Sequence, residues 1–180
     1  RMDGVGDRLT RFVHELANKF TLYFDVYRDE QIGGFPLAFI AHYKRRDERY
    51  MVTKKMKVYG VENQQLVFAT VAHEPVSLSF VRRFRDVIDQ YKHQFIQEHT
   101  EHMSTTVLGL IIADGKLDEV VLKEVRKFRK VKFLKFGWHG WVETYVAILH
   151  PDQKTVHIHP KGRSFVKSIE TLMREDKMSL

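Results

Sequence analysis

Apolar residues at Val5, Leu9, Phe12, Val13, Leu16 and Phe20 recur at steps of three and four, which makes one stripe of an amphipathic helix. From Thr21 to Tyr27 the period falls to two around Leu22, Phe24 and Val26, predicting a short strand. Gly33-Gly34 is turn punctuation. Three strands are expected next, as an antiparallel meander: Phe35–Tyr43, Tyr50–Tyr59 and Gln65–Ala72. The charged tip Lys44–Arg49 and the segment Gly60–Gln64 supply the turns. Lys54 interrupts the apolar face of the middle strand and leaves its register open.

The second half begins after Pro75 with a strong helix. Ser77 or Ser79 caps it, and Phe80, Val81, Phe84, Val87, Ile88, Tyr91 and Phe95 form its inner stripe. Thr105–Ala113 is continuously apolar, as for a strand covered on both faces. Asp114-Gly115 ends it. Asp118 caps a helix that turns Val121, Leu122, Val125 and Phe128 inward. Trp141–Leu149 and Thr155–His159 read as a hairpin around Pro151-Asp152-Gln153-Lys154. A last helix covers Gly162–Met173. The fold class expected is α+β: a mixed, largely antiparallel sheet with flanking helices. No linker or repeat divides residues 1–180, so they are read as one domain with a frayed tail at 174–180.

Composition narrows the picture. Hydrophobic residues make up 43% of the 180, enough for a sizeable core. No apolar run approaches the roughly 20 residues of a membrane helix. No apolar leader core precedes Leu9. Cysteine is absent, which removes disulfides, thiolate metal sites and a cysteine nucleophile. These features fit a protein of the reducing cytoplasm, without a membrane partner. Nothing in the sequence sets an oligomeric state. The formal charge of +7 favours anionic partners, nucleic acid first among them, although it also serves solubility alone.

The stretch from the first helix to Thr105–Ala113 has the order α-β-β-β-α-β. In this order it resembles the core of the restriction-endonuclease-like fold. That resemblance implies an acid on the second core strand and Glu-x-Lys on the third, holding magnesium and a water nucleophile. The expected second strand, Tyr50–Tyr59, carries lysines and no acid. The expected third, Gln65–Ala72, carries neither acid nor lysine. The expectation is an inactive or repurposed member, with no catalytic residue assigned.

Histidines offer weak metal candidates. His99 and His102 share a helix face, and His157 and His159 share a strand face with His150 nearby. The first pair has Glu98 four residues before His102 but not the spacing of a zinc-protease helix, and the second has no acidic companion nearby in sequence, so no metal or other cofactor is expected. Asp25 and Glu143 are the acids most embedded in apolar strand sequence, and hydrated edge positions are expected for both.

The basic stretches say most. Lys116–Lys135 contains Lys123, Arg126, Lys127, Arg129, Lys130 and Lys132, and runs into Gly137-Trp138-His139-Gly140-Trp141. The cations suit phosphates, and Trp138 or Trp141 would stack on a base. Core plugging by both tryptophans is the competing account. Two more clusters, Lys44–Arg49 with Lys54, Lys55 and Lys57, and Arg82, Arg83 and Arg85, would add phosphate contacts if they shared a face. Lys161 and Arg163 open the last helix, where an anion fits, although capping by Ser164 is the simpler role. The reading is a non-enzymatic binding or accessory domain for nucleic acid or another polyanion. The alternatives are an enzyme of unrecognised class, whether a diverged nuclease or a histidine metal site, and a protein-interaction module.

Two stretches resemble an uncharacterised bacterial family of unknown function. They are Glu101–Ser104 running into Val107–Ile112, and Phe128 through Trp141. The likeness covers about the last two-thirds of the chain. It implies a bacterial cytosolic protein and assigns no activity and no site residues.

Overall fold

The computed structural model describes residues 4–43, 62–96, 103–133 and 140–175. Among these are four α-helices: α1 (Gly4–Phe20), α2 (Leu78–Tyr91), α3 (Glu119–Lys127) and α4 (Lys167–Arg174). The strands are β1 (Phe24–Arg28), β2 (Gln31–Ile32), β3 (Phe35–Pro36), β4 (Phe39–Tyr43), β5 (Glu62–Val71), β6 (Met103–Ile112), β7 (Lys130–Phe133), β8 (Trp141–His150) and β9 (Thr155–His157). One mixed sheet runs β1-β4-β5-β6-β8-β7, with β9 also on β8. The pairs β1/β4, β4/β5, β7/β8 and β8/β9 are antiparallel, whereas β5, β6 and β8 run parallel.

Alternation along the strands divides the core into two layers. On one face Phe39, Ala41, Val67, Ala69, Leu108, Leu110, Tyr145 and Ala147 meet Leu9, Phe12 and Leu16 of α1 and Ile169 and Met173 of α4. On the other, Ile40, Leu66, Phe68, Val107, Ile111, Val142 and Val146 meet Val81, Phe84 and Ile88 of α2 and Val121 and Val125 of α3. Ser77 caps α2 by accepting from the Phe80 amide, and Asp118 caps α3 by accepting from Val120. Gly109 lets α2 lie close, since a Cβ there would stand 2.5 Å from Ile88 Cδ1 and 2.9 Å from Phe84 Cε2.

Several expected boundaries move. β1 starts at Phe24 because Thr21–Tyr23 close α1 in a hydrogen-bonded turn. The Phe35–Tyr43 run splits in two. Gly33 and Gly34, with φ of +55° and +78°, make a two-residue turn that pairs β2 with β3 as a separate ribbon. β4 then pairs directly with β5, from Phe39↔Ala69 to His42↔Leu66. The expected strand Tyr50–Tyr59 lies outside the described residues. β5 begins at Glu62, earlier than expected, so an acid does stand on this strand. Gln64 occupies the lysine position of Glu-x-Lys, and that motif stays incomplete. The last helix opens at Pro160 with a 3-10 segment, Pro160–Val166, and becomes α-helical only from Lys167. β7, within the basic run, was not expected from the sequence.

Candidate nucleic-acid interface

The basic run folds as α3 followed by the edge strand β7. Lys123 and Lys127, one helical turn apart, are exposed, as are Lys130 and Lys132. Among the described residues, Lys123, Lys127 and Lys132 form no ion pair. The register Lys130↔Thr144 and Lys132↔Val142 puts both lysines on the α2/α3 face. Phe133 points the other way, opposite the partly buried Trp141, and is 62% exposed. Trp138 lies outside the described residues, as do His99, His102 and the cluster Lys44–Arg49 with Lys54, Lys55 and Lys57.

The other expected anion contacts are drawn into internal pairs. Arg126 binds Glu119 at 2.7 Å, and Arg163 binds Glu170 at 2.6 Å and the Val156 carbonyl. Arg82 and Arg85 both reach Glu124, which joins α2 to α3 and lowers the Glu124 pKa. Arg83 lies over Phe35, and Arg85 over Phe128. Lys161 is exposed. Ser164 is not the cap of the last helix: it lies inside the 3-10 segment, whose first turn is capped by His159 Nδ1 accepting from the Lys161 amide, and α4 follows with Val166 at its N-cap position and no side-chain cap.

Arg129 belongs to a three-residue cluster on the α1/α4 face. Its Nε donates to the Tyr145 hydroxyl at 2.9 Å, and its Nη2 to Glu143 at 3.2 Å. Tyr145 donates in turn to Glu143 at 2.9 Å. Burial raises the Tyr145 pKa, and the bond to Glu143 adds to it, so the phenol stays a donor. Glu143 is therefore a paired carboxylate, not the hydrated edge position expected for it. β7 has folded over that edge and brought Arg129 with it.

The sequence did not reveal a second cluster, around Lys92. Its side chain is 1% exposed and donates to Thr144 Oγ1 at 2.9 Å. Asp89 sits 2.9 Å from Lys92 Nζ and 2.7 Å from Lys130 Nζ. Burial works against the Asp89 carboxylate, but hydrogen bonds from Lys130 and Lys92 outweigh it and hold the pKa at about 2. Burial pushes the Lys92 ammonium down, with Asp89 resisting. A signal existed: Lys92 falls four residues after Ile88, in line with the inward stripe of α2 and one residue past its end. Gln64, Thr105 and Thr144 are buried on the same sheet face and Ser104 and Thr106 on the opposite one, so the start of the parallel strands is polar on both faces.

The remaining histidines serve the fold. His150 is buried, donates from Nε2 to the Gly115 carbonyl and accepts from the Gln153 amide at Nδ1. His157 lies against Arg126, and burial lowers its pKa. His159 stands beyond β9, so it does not extend a strand face with His157. Among the described residues, no three His or acidic groups cluster as a metal site.

Together these features define a three-layer α+β domain with a lysine-bearing edge strand and an internal charge cluster. The chain belongs to the family described as a domain of unknown function, DUF8052, whose pattern matches residues 9–171. The resemblance expected for the last two-thirds therefore extends over nearly all of it. No curated protein and no solved structure matches the chain.

Proposed function

We propose a binding domain for a polyanion, with single-stranded nucleic acid as the first candidate, docking along β7. The observation that carries this reading is the two-sided edge strand. Phe133 stands exposed opposite Trp141 on one face, and Lys132 points to the other, the face covered by α3 with its exposed Lys123 and Lys127; none of these three lysines has an acidic partner among the described residues. Bases stack on aromatic faces regardless of sequence, and phosphates release counterions when they meet lysines. A bacterial, cytosolic setting belongs to the same reading. It is tested by anisotropy of a labelled oligothymidine across a salt series. Three lost phosphate contacts predict that Lys123→Glu/Lys127→Glu/Lys132→Glu flattens the log–log salt slope by about 2. Phe133→Ala should weaken binding about 5- to 100-fold, the range of one stacked base. Absence of binding at low salt, or wild-type behaviour of both variants, refutes the reading.

A second reading is a diverged nuclease of the restriction-endonuclease-like class. It is favoured by the antiparallel strands β1, β4 and β5, the crossing helix α2 and the parallel β6, with Glu62 opening β5. Magnesium- or manganese-dependent cleavage lost in Glu62→Ala would support it, and inert substrate with both metals would remove it.

A further inference from the structure

At the opposite edge of the sheet a cleft of about 610 Å³ lies between β1, β4, the β2–β3 ribbon and the end of α2. That volume is in the range of small-molecule sites. The register explains its lining. Tyr27 pairs with Ile40, and Asp25 with His42, so strand alternation directs Tyr27, Ile40 and His42 to the α2 face. Ile32, Tyr91 and Phe95 complete the apolar walls, and Glu30 and Gln94 add polar groups. Gly33 holds the ribbon against Tyr91, since a Cβ there would stand 2.6 Å from Tyr91 Cε2.

We propose that this cleft binds an uncharged planar heterocycle, a nucleobase presented as its nucleoside. Aromatic and aliphatic walls suit a flat ring system. His42 Nε2 is buried and has no hydrogen-bond partner among the described residues, and neither has Gln64 Oε1, which is buried on the same sheet face two residues from the Leu66 that pairs with His42. Unsatisfied buried polar atoms are costly and call for a partner. Burial lowers the His42 pKa, although the Asp25 charge opposes it. The ring thus offers one N–H and one lone pair near neutrality, and the Gln94 amide offers both as well. The anionic groups that line or reach the cleft, Glu30 and Asp25, repel a phosphate and leave the heterocycle as the recognised part. The site lies about 24 Å from β7, five strand spacings away. It stands independently of the edge-strand reading.

The test uses the intact chain, titrated separately with adenosine, guanosine, cytidine, uridine and inorganic phosphate. Calorimetry and the His42 ring resonances provide the readouts. Saturable one-to-one binding is expected for at least one nucleoside, insensitive to salt and not displaced by phosphate. It should weaken at least about tenfold in His42→Leu, the order expected from losing one good hydrogen bond, and also in Gly33→Ala. His42→Gln, which keeps a donor and an acceptor, should retain more affinity than His42→Leu and remains informative if the leucine variant folds poorly. No saturation with any nucleoside up to about 1 mM, a contact worth only about 4 kcal/mol, overturns the proposal. So does binding unchanged in both His42 variants. Nucleoside binding lost in Phe133→Ala but retained in His42→Leu would place the ligand on β7 and overturn it too.

Discussion

Asp89→Asn is the sharpest test of the internal charge cluster. The substitution keeps the shape and removes the charge that faces Lys92 at 2.9 Å and Lys130 at 2.7 Å. A fall of the Asp89 pKa from 3.8 to about 2 corresponds to about 2.4 kcal/mol at 1.36 kcal/mol per pH unit. The Asp89 side chain is 38% exposed, so solvent screening reduces this to about 1–2 kcal/mol. Stranding the buried Lys92 pushes the other way, since removing one partner of a buried pair costs about 3–5 kcal/mol. These two views of one interaction bracket a loss of about 2–3 kcal/mol at pH 7. Urea unfolding should show it as a lower midpoint at unchanged slope. The pH dependence follows from linkage. A depressed carboxylate pKa gives stability that is fully present above the unfolded value, near 4, and lost as pH falls through about 2. The deficit of Asp89→Asn should therefore close between about pH 4 and 2. It should also narrow in alkali as Lys92 loses its proton. A loss below about 0.5 kcal/mol at pH 7, the range of ordinary surface changes, would refute the argument. So would a deficit of constant size from pH 7 to pH 3.

Three further outcomes are expected. Gly109→Ala forces a methyl against Ile88 and Phe84 and should cost about 1–3 kcal/mol, read as a lower Tm. Ser77→Ala removes the 3.1 Å bond from the Phe80 amide and should cost about 1 kcal/mol in urea unfolding. His150→Phe leaves the Gly115 carbonyl and the Gln153 amide without their partner. It should cost about 1–3 kcal/mol and speed amide exchange in the β8–β9 turn.

The strongly periodic elements were legible because their sequence signals agree. Ser77 and the stripe at Val81, Phe84 and Ile88 place α2, and Asp118 with Val121, Leu122 and Val125 places α3. The turn at Pro151 announces the β8–β9 hairpin. β7 was hidden because Lys-Val-Lys-Phe alternates within a run of charge, and only pairing with β8 makes it a strand. The basic stretch suggested one phosphate-binding surface. Pairing instead assigns Arg129 and Lys130 to Glu143 and Asp89 outside the run, and Arg126 to Glu119 within it, leaving Lys123, Lys127 and Lys132 unpaired among the described residues. The cleft could not be read along the chain, since Tyr27, His42 and Tyr91 meet only through sheet register and the ribbon turn at Gly33.

β8 is a ten-residue strand whose outer edge is covered by two short strands instead of one long one. β7 takes Trp141–Thr144 and β9 takes Ile148–His150, with Tyr145–Ala147 between the two pairings. Two separate clasps on one edge need not open together. β9 is anchored by Val156 in the core, whereas β7 is exposed along most of its length. Amides of the β7 pairing should therefore exchange with solvent sooner than those at Ile148–His150. A partner that lies along β7 would slow exchange at the first clasp and leave the second unchanged, so its position could be read from the protein's own backbone.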